Sequence, residues 1–420
     1  MTRGPIGVIE GFYGPPWSWA ARAEVASWCG ARGMTDYVYA PKDDPKHRAA
    51  WRVPYTAEEL DGFERFATAG HLRLGFALSP GLTMDYDGTA DRAALAAKVD
   101  QVVAAGAGLV VLALDDIPFG GGAQGAAHAR VTSWLRAHLD GSAELALVPT
   151  EYVGTGRSDY LDALADGVPE DVPIGWTGAA VVNDTITVGQ AVARAEALGG
   201  RPPLLWDNVP VNDALMADRL HLGPLRGRDA DLLGACDGYL ANPMVQPHAN
   251  LLPLASIAAF ARGDDPVAAW EETAAELGWR VLADACDGAQ ARLAVRAAED
   301  GDLEPARTLF SAAAVCRAPG LEDEVSPWIV QVQRDAKLGL IALDVLDGDR
   351  AVETVLGMAA RWQASRRSAV TVFGSRCSIR PVLGQAPDGT WQVEPESVEA
   401  DDNAVDDLVR LALRALTRPA

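Results

Sequence analysis

The sequence predicts an α/β protein in which a (β/α)8 TIM barrel over residues 1–265 is followed by a mainly helical domain over residues 266–420. The barrel is indicated by short apolar runs of strand length that alternate with longer segments of helical period. The helical domain is indicated by a change near residue 265 to Ala-rich segments whose apolar residues recur at helical spacing. A chain of 420 residues is long enough for both.

Eight apolar runs in the first 265 residues are predicted to be strands, and eight strand–helix units are the number that closes a parallel barrel. In chain order these strands are Ile6–Gly11, Asp36–Ala40, Arg73–Leu78, Leu109–Leu114, Glu144–Val148, Ile174–Trp176, Pro203–Trp206 and Gly238–Leu240. Helix-forming residues with helical period fill the segments between the strands. The helices predicted there include Ala20–Arg32, Ala57–Ala69, Ala90–Ala104, Ala127–Leu139 and Gly189–Ala197.

The same helical period continues through the C-terminal part of the chain. The helices predicted there include Pro266–Leu277, Ala289–Ala298, Glu304–Val315 and Pro327–Leu346. A short β-hairpin with Pro387-Asp388-Gly389 as its turn follows them. We expect the acidic stretch from Glu394 to Asp407 to be a solvated loop, and a last amphipathic helix is predicted near Ala404–Leu416.

The charge balance restricts the partners of the protein. With 36 basic and 58 acidic residues, the formal net charge of -22 repels phosphate backbones and anionic lipids, so neither nucleic acid nor a membrane is expected as a partner. No apolar run reaches membrane-spanning length, and the first predicted strand follows the start without the features of a secretory signal. The cysteines are odd in number, widely spread and free of Cys-x-x-Cys pairs, which predicts reduced thiols and a cytoplasmic protein. They are Cys29, Cys236, Cys286, Cys316 and Cys377.

Two adjacent carboxylates end the fourth predicted strand. Asp115 and Asp116 follow the apolar run Leu109–Leu114, and polar, aromatic or Gly/Pro residues follow the other strands as well. The C-terminal strand ends of such a barrel converge on one mouth, where its active site lies. Neighbouring carboxylates repel each other, so one of the pair is expected to hold its proton to higher pH, as acid catalysis of acetal hydrolysis requires. An N-cap or a turn explains the pair at least as well from these residues alone.

Three further patterns have simpler explanations. Gly120–Gly125 satisfies the Gly-x-Gly-x-x-Gly signature of a dinucleotide-binding turn, but five residues separate it from the strand and two of these are carboxylates. We therefore expect a flexible loop that borders a cleft. The six histidines show no metal-binding spacing, and neither a metal nor another cofactor is expected. The charged residues at positions 43–48 fit a solvated charge cluster as well as they fit part of the mouth.

Several segments at the ends of the predicted strands carry a family resemblance, which covers the first 260 residues. They are Gly7–Trp17, Tyr39–Arg48, Trp51-Arg52, Ser79–Gly81, Asp115-Asp116, Pro149–Tyr152, Trp176–Gly178, Trp206–Asn208, Asn212-Asp213, Leu222–Pro224 and Asn242-Pro243. In this order they closely resemble glycoside hydrolase family 84, which contains the O-GlcNAcases and the hyaluronidase-like N-acetyl-β-glucosaminidases.

The resemblance implies a (β/α)8 barrel and a retaining exo-N-acetyl-β-D-glucosaminidase in which the substrate's own 2-acetamido group is the nucleophile and an oxazoline is the intermediate. It implies that Asp115 orients the acetamido group, that Asp116 is the general acid and base, and that Tyr152 hydrogen-bonds the acetamido oxygen. It implies substrate-binding roles for Gly11, Lys42, Trp206, Asn208, Asp213 and Asn242. From the residues alone, the two aromatic side chains fit a core, and the two asparagines fit turns.

Several points stay open at this level. The aglycone is a protein Ser/Thr or a saccharide such as a muropeptide, and a homodimer is one of the open assembly states. Secreted bacterial members of the family begin with a signal, so a cytosolic substrate is expected here. The rival functions are a non-catalytic GlcNAc-binding barrel and a dinucleotide-binding oxidoreductase. Consecutive strand residues point to opposite faces, so only a bend after the fourth strand can bring both Asp115 and Asp116 to the mouth.

Overall fold

The computed structural model describes residues 4–374, 379–385, 391–397 and 402–417. The described residues form two compact units. The first lies within Met1–Asp213 and Pro224–Ala269, and the second lies within Ala214–Gly223 and Trp270–Ala420. A short piece of chain that precedes residue 265 therefore belongs to the second unit. The division of the chain into one domain over residues 1–265 and another over residues 266–420 stays a prediction.

The first unit contains eight parallel strands within the described residues. They are β1 (Ile6–Glu10), β2 (Asp36–Tyr39), β3 (Arg73–Leu78), β4 (Leu109–Ala113), β5 (Glu144–Val148), β6 (Gly175–Trp176), β7 (Leu204–Asp207) and β8 (Gly238–Ala241). Their order is β5-β4-β3-β2-β1-β8-β7-β6, and a parallel bridge between Leu147 and Ile174 brings the two outer strands together. The predicted barrel is confirmed.

The barrel strands are apolar on both faces because both faces are buried. Every residue of β2 and β4 is buried, which is typical of a parallel strand between a core and a layer of helices. One apolar cluster brings together residues from β1, β2, β3, β4, β5, β7 and β8, including Ile9, Val111 and Leu240. Trp206 belongs to the same cluster, so its indole continues the core toward the strand ends.

Helices of the first unit lie between these strands in the chain or follow the last of them. They are α1 (Trp19–Gly30), α2 (Ala57–Ala69), α3 (Thr89–Ala104), α4 (Gly121–Leu139), α5 (Asp159–Gly167), α6 (Val188–Ala197) and α7 (Leu251–Arg262), and α8 (Pro266–Leu277) runs from this unit into the second. Capping boxes begin two of them, with Thr56 at the start of α2 and Thr187 at the start of α6. Short 3₁₀ helices lie at Ala214–Met216, Leu232–Ala235 and His248–Asn250.

The glycine run after β4 is part of a helix, so the expected flexible loop is wrong. Gly120 is the N-cap of α4, and the other glycines lie in its first turns. A Cβ atom on Gly125 would lie 2.4 Å from the carbonyl oxygen of Tyr160, and one on Gly122 would lie 3.2 Å from the Cβ of Asp159. The glycines therefore allow α4 to pack closely on α5, and the run has a packing explanation in place of a phosphate-binding one.

The second unit is mainly helical. Its further helices are α9 (Arg280–Asp287), α10 (Ala289–Glu299), α11 (Glu304–Ala313), α12 (Glu322–Leu346), α13 (Val352–Ser365) and α14 (Ala404–Thr417). The strands β9 (Ile379–Gln385) and β10 (Trp391–Ser397) pair in antiparallel fashion, and the predicted turn at Pro387-Asp388-Gly389 lies outside the described residues. The acidic stretch is wrong as a loop: it begins inside β10, and Asp406 of α14 is buried and accepts hydrogen bonds from Trp362 and Arg366.

Cys29, Cys236, Cys286 and Cys316 are free thiols, while Cys377 lies outside the described residues. Among the helices of the described ranges, none combines the length and the apolar character needed to cross a bilayer.

Candidate active site

The ends of the barrel strands carry the residues that the sequence predicts for the site. Asp115 and Asp116 follow β4, and Lys42 and Tyr152 follow β2 and β5. Hydrogen bonds and ion pairs join these residues to one another and to those after β1, β7 and β8. The predicted residues that the contacts bring together are Gly11, Lys42, Asp115, Asp116, Tyr152, Trp206, Asn208, Asp213 and Asn242.

Asp115 is a buried carboxylate that pairs with a buried cation. Its side chain is 7% exposed, and one of its oxygens, Oδ2, pairs with the ammonium group of Lys42, whose side chain is 3% exposed. The other oxygen, Oδ1, is buried and has no hydrogen-bond partner among the described residues. A buried carboxylate oxygen normally accepts a hydrogen bond, because leaving it unpaired is costly. Asp115 is therefore prepared to accept an N–H from a molecule in the mouth.

Asp116 lies in a sharp bend that turns its carboxylate to the same mouth. Its φ is +52°, in the left-handed region that non-glycine residues rarely adopt. The hydroxyl of Tyr13 donates to its Oδ2 at 2.7 Å, and the hydroxyl of Tyr152 donates to its Oδ1 at 2.8 Å. Consecutive strand residues point to opposite faces, and this bend is what brings the carboxylates of both Asp115 and Asp116 to the mouth. The pair is no N-cap, since Gly120 caps α4.

The two tyrosines at Asp116 are held in the protonated, hydrogen-donating form. Burial and the negative charge of Asp116 raise the pKa of Tyr13, and the same causes raise the pKa of Tyr152. Both hydroxyls therefore keep their protons across the physiological range. Tyr13 is still 44% exposed, so the Asp116 end of the site is accessible to a large group, whereas Asp115 lies deeper.

A network of amides lines the opposite side of the mouth. Asn208 Oδ1 accepts a hydrogen bond from the indole N–H of Trp206 at 3.0 Å and another from the side-chain amide of Asn242 at 2.9 Å. Asn242 Oδ1 in turn accepts the backbone N–H of Gly11 at 3.2 Å. The indole lies directly over Gly11, where a Cβ atom would lie 2.3 Å from the Trp206 ring. The Trp206 indole can occupy this place only because residue 11 is glycine. The centre of the indole ring also lies 5.8 Å from Lys42 Nζ.

Asp213 closes the network on the Tyr13 side. Its carboxylate accepts the backbone N–H of Tyr13 at 2.7 Å. Burial raises the pKa of this carboxyl, although the hydrogen bond from the backbone of Tyr13 acts in the opposite direction. The same tyrosine thus contacts Asp213 through its backbone and Asp116 through its hydroxyl.

The charged segment at residues 43–48 is largely built into the protein, so a solvated cluster is wrong for most of it. Asp43 is exposed, whereas Asp44 accepts hydrogen bonds from the hydroxyls of Tyr39 at 2.8 Å and Tyr55 at 2.7 Å. His47 is fully buried, and its Nδ1 lies 2.8 Å from the carbonyl oxygen of Ala77. The segment therefore fixes the connection that carries Lys42.

Sequence reasoning missed two residues of the site. Tyr13 lies two positions after Gly11 in a segment that carries the family resemblance, yet its aromatic side chain gives no sign in the sequence that the hydroxyl contacts a carboxylate. Arg48 donates to the backbone oxygen of Asp116 at 2.9 Å. Nothing in the residue pattern indicates this contact, because it joins a side chain to a backbone group 68 residues away.

The comparisons with known proteins decide the family. A sequence profile described as beta-N-acetylglucosaminidase matches residues 6–294, which is more than half of the chain. The chain belongs to this family. The match confirms the resemblance to glycoside hydrolase family 84 and extends it beyond the barrel into the helical unit.

The chain is similar in sequence to two curated proteins and in structure to two solved proteins. The Protein O-GlcNAcase sequences of Rattus norvegicus and Mus musculus are each 32% identical over 271 residues, which cover 60% of this chain and 29% of the relative. The chain thus spans under a third of the length of these two relatives. A mutant O-GlcNAc hydrolase of Thermobaculum terrenum has a TM-score of 0.79 at 21% identity, covering 97% of this chain and 94% of its own. CpGH84B has a TM-score of 0.81 at 22% identity, covering 97% and 76%. At such identities these structures confirm the fold.

Proposed function

We propose that this chain is a retaining exo-N-acetyl-β-D-glucosaminidase of the O-GlcNAcase type, which hydrolyses terminal β-GlcNAc through an oxazoline formed by the substrate's acetamido group. The observation that carries the proposal is the contrast between two adjacent carboxylates. Asp115 is buried beside Lys42 with one oxygen unpaired among the described residues, while Asp116 reaches the open part of the mouth. Substrate assistance requires one carboxylate that stays charged and one that exchanges a proton.

In the first step the free oxygen of Asp115 accepts the acetamido N–H. This contact increases the electron density on the acetamido oxygen, which attacks C1 while the C1–O bond to the aglycone breaks. The carboxyl group of Asp116 gives its proton to the departing oxygen. The product of the step is a protonated oxazoline, an oxazolinium ion, whose positive charge is offset by the carboxylate of Asp115.

In the second step Asp116, now a carboxylate, removes a proton from water. The water oxygen attacks C1 on the face that the aglycone has left, the C1–oxazoline oxygen bond breaks, and the acetamido group is restored. Two displacements at C1 give net retention. Asp115 keeps its hydrogen bond to the acetamido N–H throughout, and Asp116 ends the cycle protonated.

The residues around the pair are assigned to the sugar. The Trp206 indole forms the wall for the acetamido methyl group, where an aromatic surface buries an apolar group favourably. Tyr152 moves its hydroxyl from Asp116 to the acetamido oxygen, and Asn208 holds the indole in place. The sugar hydroxyls are bound by Lys42, Asp213, Asn242 and the backbone of Gly11.

The proposed substrate is a GlcNAc-bearing protein or glycoside in the cytoplasm. The four free thiols of the described residues support a reducing compartment. The net charge of -22 supports an uncharged saccharide over nucleic acid or a lipid surface. A homodimer is a proposal for the assembly state, which sedimentation of the purified protein tests directly.

Hydrolysis of aryl N-acetyl-β-glucosaminides tests the proposed function. The rate should fall steeply along the series N-acetyl, N-fluoroacetyl, N-trifluoroacetyl, because fluorine withdraws electrons from the acetamido oxygen that attacks C1. A thiazoline analogue of the oxazoline should inhibit competitively. Binding of the sugar without turnover would support the non-catalytic rival instead, and turnover that ignores the fluorine series would exclude the acetamido nucleophile.

A further inference from the structure

Arg48 contacts the backbone of Asp116, the predicted acid, whereas Tyr13 and Tyr152 contact its carboxylate. It lies between β2 and α2, and its Nη2 donates to the carbonyl oxygen of Asp116 at 2.9 Å. Its Nη1 lies 3.4 Å from the hydroxyl of Ser79, which follows β3. The guanidinium group thus spans from one strand end to the bend after β4.

This bend is the part of the site that most needs support. Asp116 has a φ of +52°, which brings its Cβ close to its own backbone carbonyl and is unfavourable for a residue with a side chain. A return to negative φ would rotate the carboxyl group away from Tyr13 and Tyr152. A charged donor forms a stronger hydrogen bond than a neutral one, so the guanidinium favours the orientation of the carbonyl that the strained backbone requires.

Arg48 is itself held by the barrel. The preceding residue, His47, is fully buried, its ring meets the carbonyl of Ala77 at 2.8 Å, and its own carbonyl accepts the backbone N–H of Ser79 at 2.9 Å. Lys98 is buried and donates to the carbonyls of Lys46, at 3.3 Å, and Val53. The connection around Arg48 is therefore fixed on both sides, so the arginine is a rigid support for the bend.

We propose that Arg48 is a positioning residue that holds the backbone of Asp116 in its left-handed conformation and so aims the general acid at the glycosidic oxygen. The proposal rests on the proposed function, because it assigns Arg48 to the proton transfer of that reaction. Arg48 acts through Asp116, and its removal should impair proton transfer while leaving the attack of the acetamido group intact.

Two aryl N-acetyl-β-glucosaminides, one with a poor and one with a good leaving group, test the proposal. Arg48→Met should lower kcat/KM about tenfold or more for the phenyl glycoside and less than about threefold for the dinitrophenyl glycoside, because a good leaving group needs little protonation. Arg48→Lys should restore part of the loss. Arg52→Met is the matched control, since Arg52 lies in the same connection but pairs with Asp91 and Thr83, and it should behave as wild type.

Combination with Asp116→Ala distinguishes positioning from general support of the fold. If Arg48 acts through the acid, Arg48→Met should cause no further loss in the Asp116→Ala background. An equal loss on both leaving groups, or a full additional loss in that background, would overturn the proposal. If circular dichroism shows that Arg48→Met is unfolded, Arg48→Lys and Arg48→Gln take its place. The same ratio of kcat/KM on the phenyl and dinitrophenyl glycosides is then measured for them. A wild-type protein that hydrolyses neither glycoside refutes the proposed function itself, which is a different outcome.

Discussion

The ammonium group of Lys42 and the carboxylate of Asp115 form an ion pair whose side chains are only 3% and 7% exposed. With water largely excluded, each charge depends on the other for its stability. The next residue, Asp116, contacts two tyrosine hydroxyls at the open end of the same mouth. Two neighbouring residues of one type thus have different surroundings, and this difference is the physical basis for giving them different roles.

Replacement of Lys42 tests whether the charge of Asp115 depends on the ammonium group for its stability. In Lys42→Met the Asp115 carboxylate stays buried without its cation, which we expect to lower the free energy of unfolding by about 3 kcal/mol. Without its cation Asp115 should also position the acetamido group less well, so kcat/KM should fall for glycosides with good and poor leaving groups alike. Lys46→Met is the control, because its pair with Glu59 is more exposed and is expected to contribute less than about 1 kcal/mol. An unchanged free energy of unfolding in Lys42→Met would refute the electrostatic role.

The two tyrosines at Asp116 should differ in their effects. Tyr13→Phe removes a donor from Asp116 alone, so we expect a loss of roughly tenfold on poor leaving groups and little loss on good ones. Tyr152→Phe also removes the proposed donor to the acetamido oxygen and should lower kcat/KM on both classes. The measurement is kcat/KM across a series of aryl leaving groups. Identical profiles for the two variants would argue against the assignment of Tyr152 to the acetamido group.

Gly11→Ala should damage the acetamido wall. The added Cβ would lie 2.3 Å from the Trp206 ring, so the indole must move and its contact with Asn208 must change. We expect a destabilisation of about 1–3 kcal/mol and a rise in KM. Gly156→Ala is the control, because a Cβ there would meet nothing within 4 Å. If calorimetry and kinetics show the same small effect for both variants, Trp206 is not confined as described.

Buried histidines should make the protein less stable in acid. Burial lowers the pKa of His47 to about 3 and that of His128 to about 4. An unfolded histidine has a pKa of about 6.5, so below that value the unfolded chain binds protons that the folded chain does not. Stability should therefore be full above about pH 6.5 and fall as the pH drops toward each folded-state pKa.

Replacement of one histidine measures its share of this pH dependence. His128→Asn should remove about 2 kcal/mol of the stability change between about pH 6.5 and pH 4.5, as measured by urea unfolding. His71→Asn changes an exposed ring and should leave the slope as in wild type. A His128→Asn slope equal to that of wild type would show that His128 titrates alike in both states.

The barrel was predictable because its strands are apolar on both faces and end in polar residues. Leu109–Leu114 illustrates this, since the run and the carboxylates after it are visible in the sequence. The positive φ of Asp116 was not predictable, because glycine is the usual residue in such a bend and aspartate adopts this conformation only occasionally. The glycine run was wrongly expected to be a flexible loop, because composition does not distinguish a loop from glycines that allow two helices to pack closely, as Gly125 does against Tyr160. Tyr13 and Arg48 escaped because their contacts join residues far apart in the chain.

The most direct test of the two aspartate roles compares Asp115→Ala and Asp116→Ala on phenyl and dinitrophenyl N-acetyl-β-glucosaminides. Asp116→Ala should lose activity on the phenyl glycoside and retain most of it on the dinitrophenyl glycoside, because only the former needs a proton from the acid. Asp115→Ala should lose activity on both, since the acetamido attack is impaired whatever the leaving group. Equal losses for Asp116→Ala on the two glycosides would contradict the division of roles between the two carboxylates.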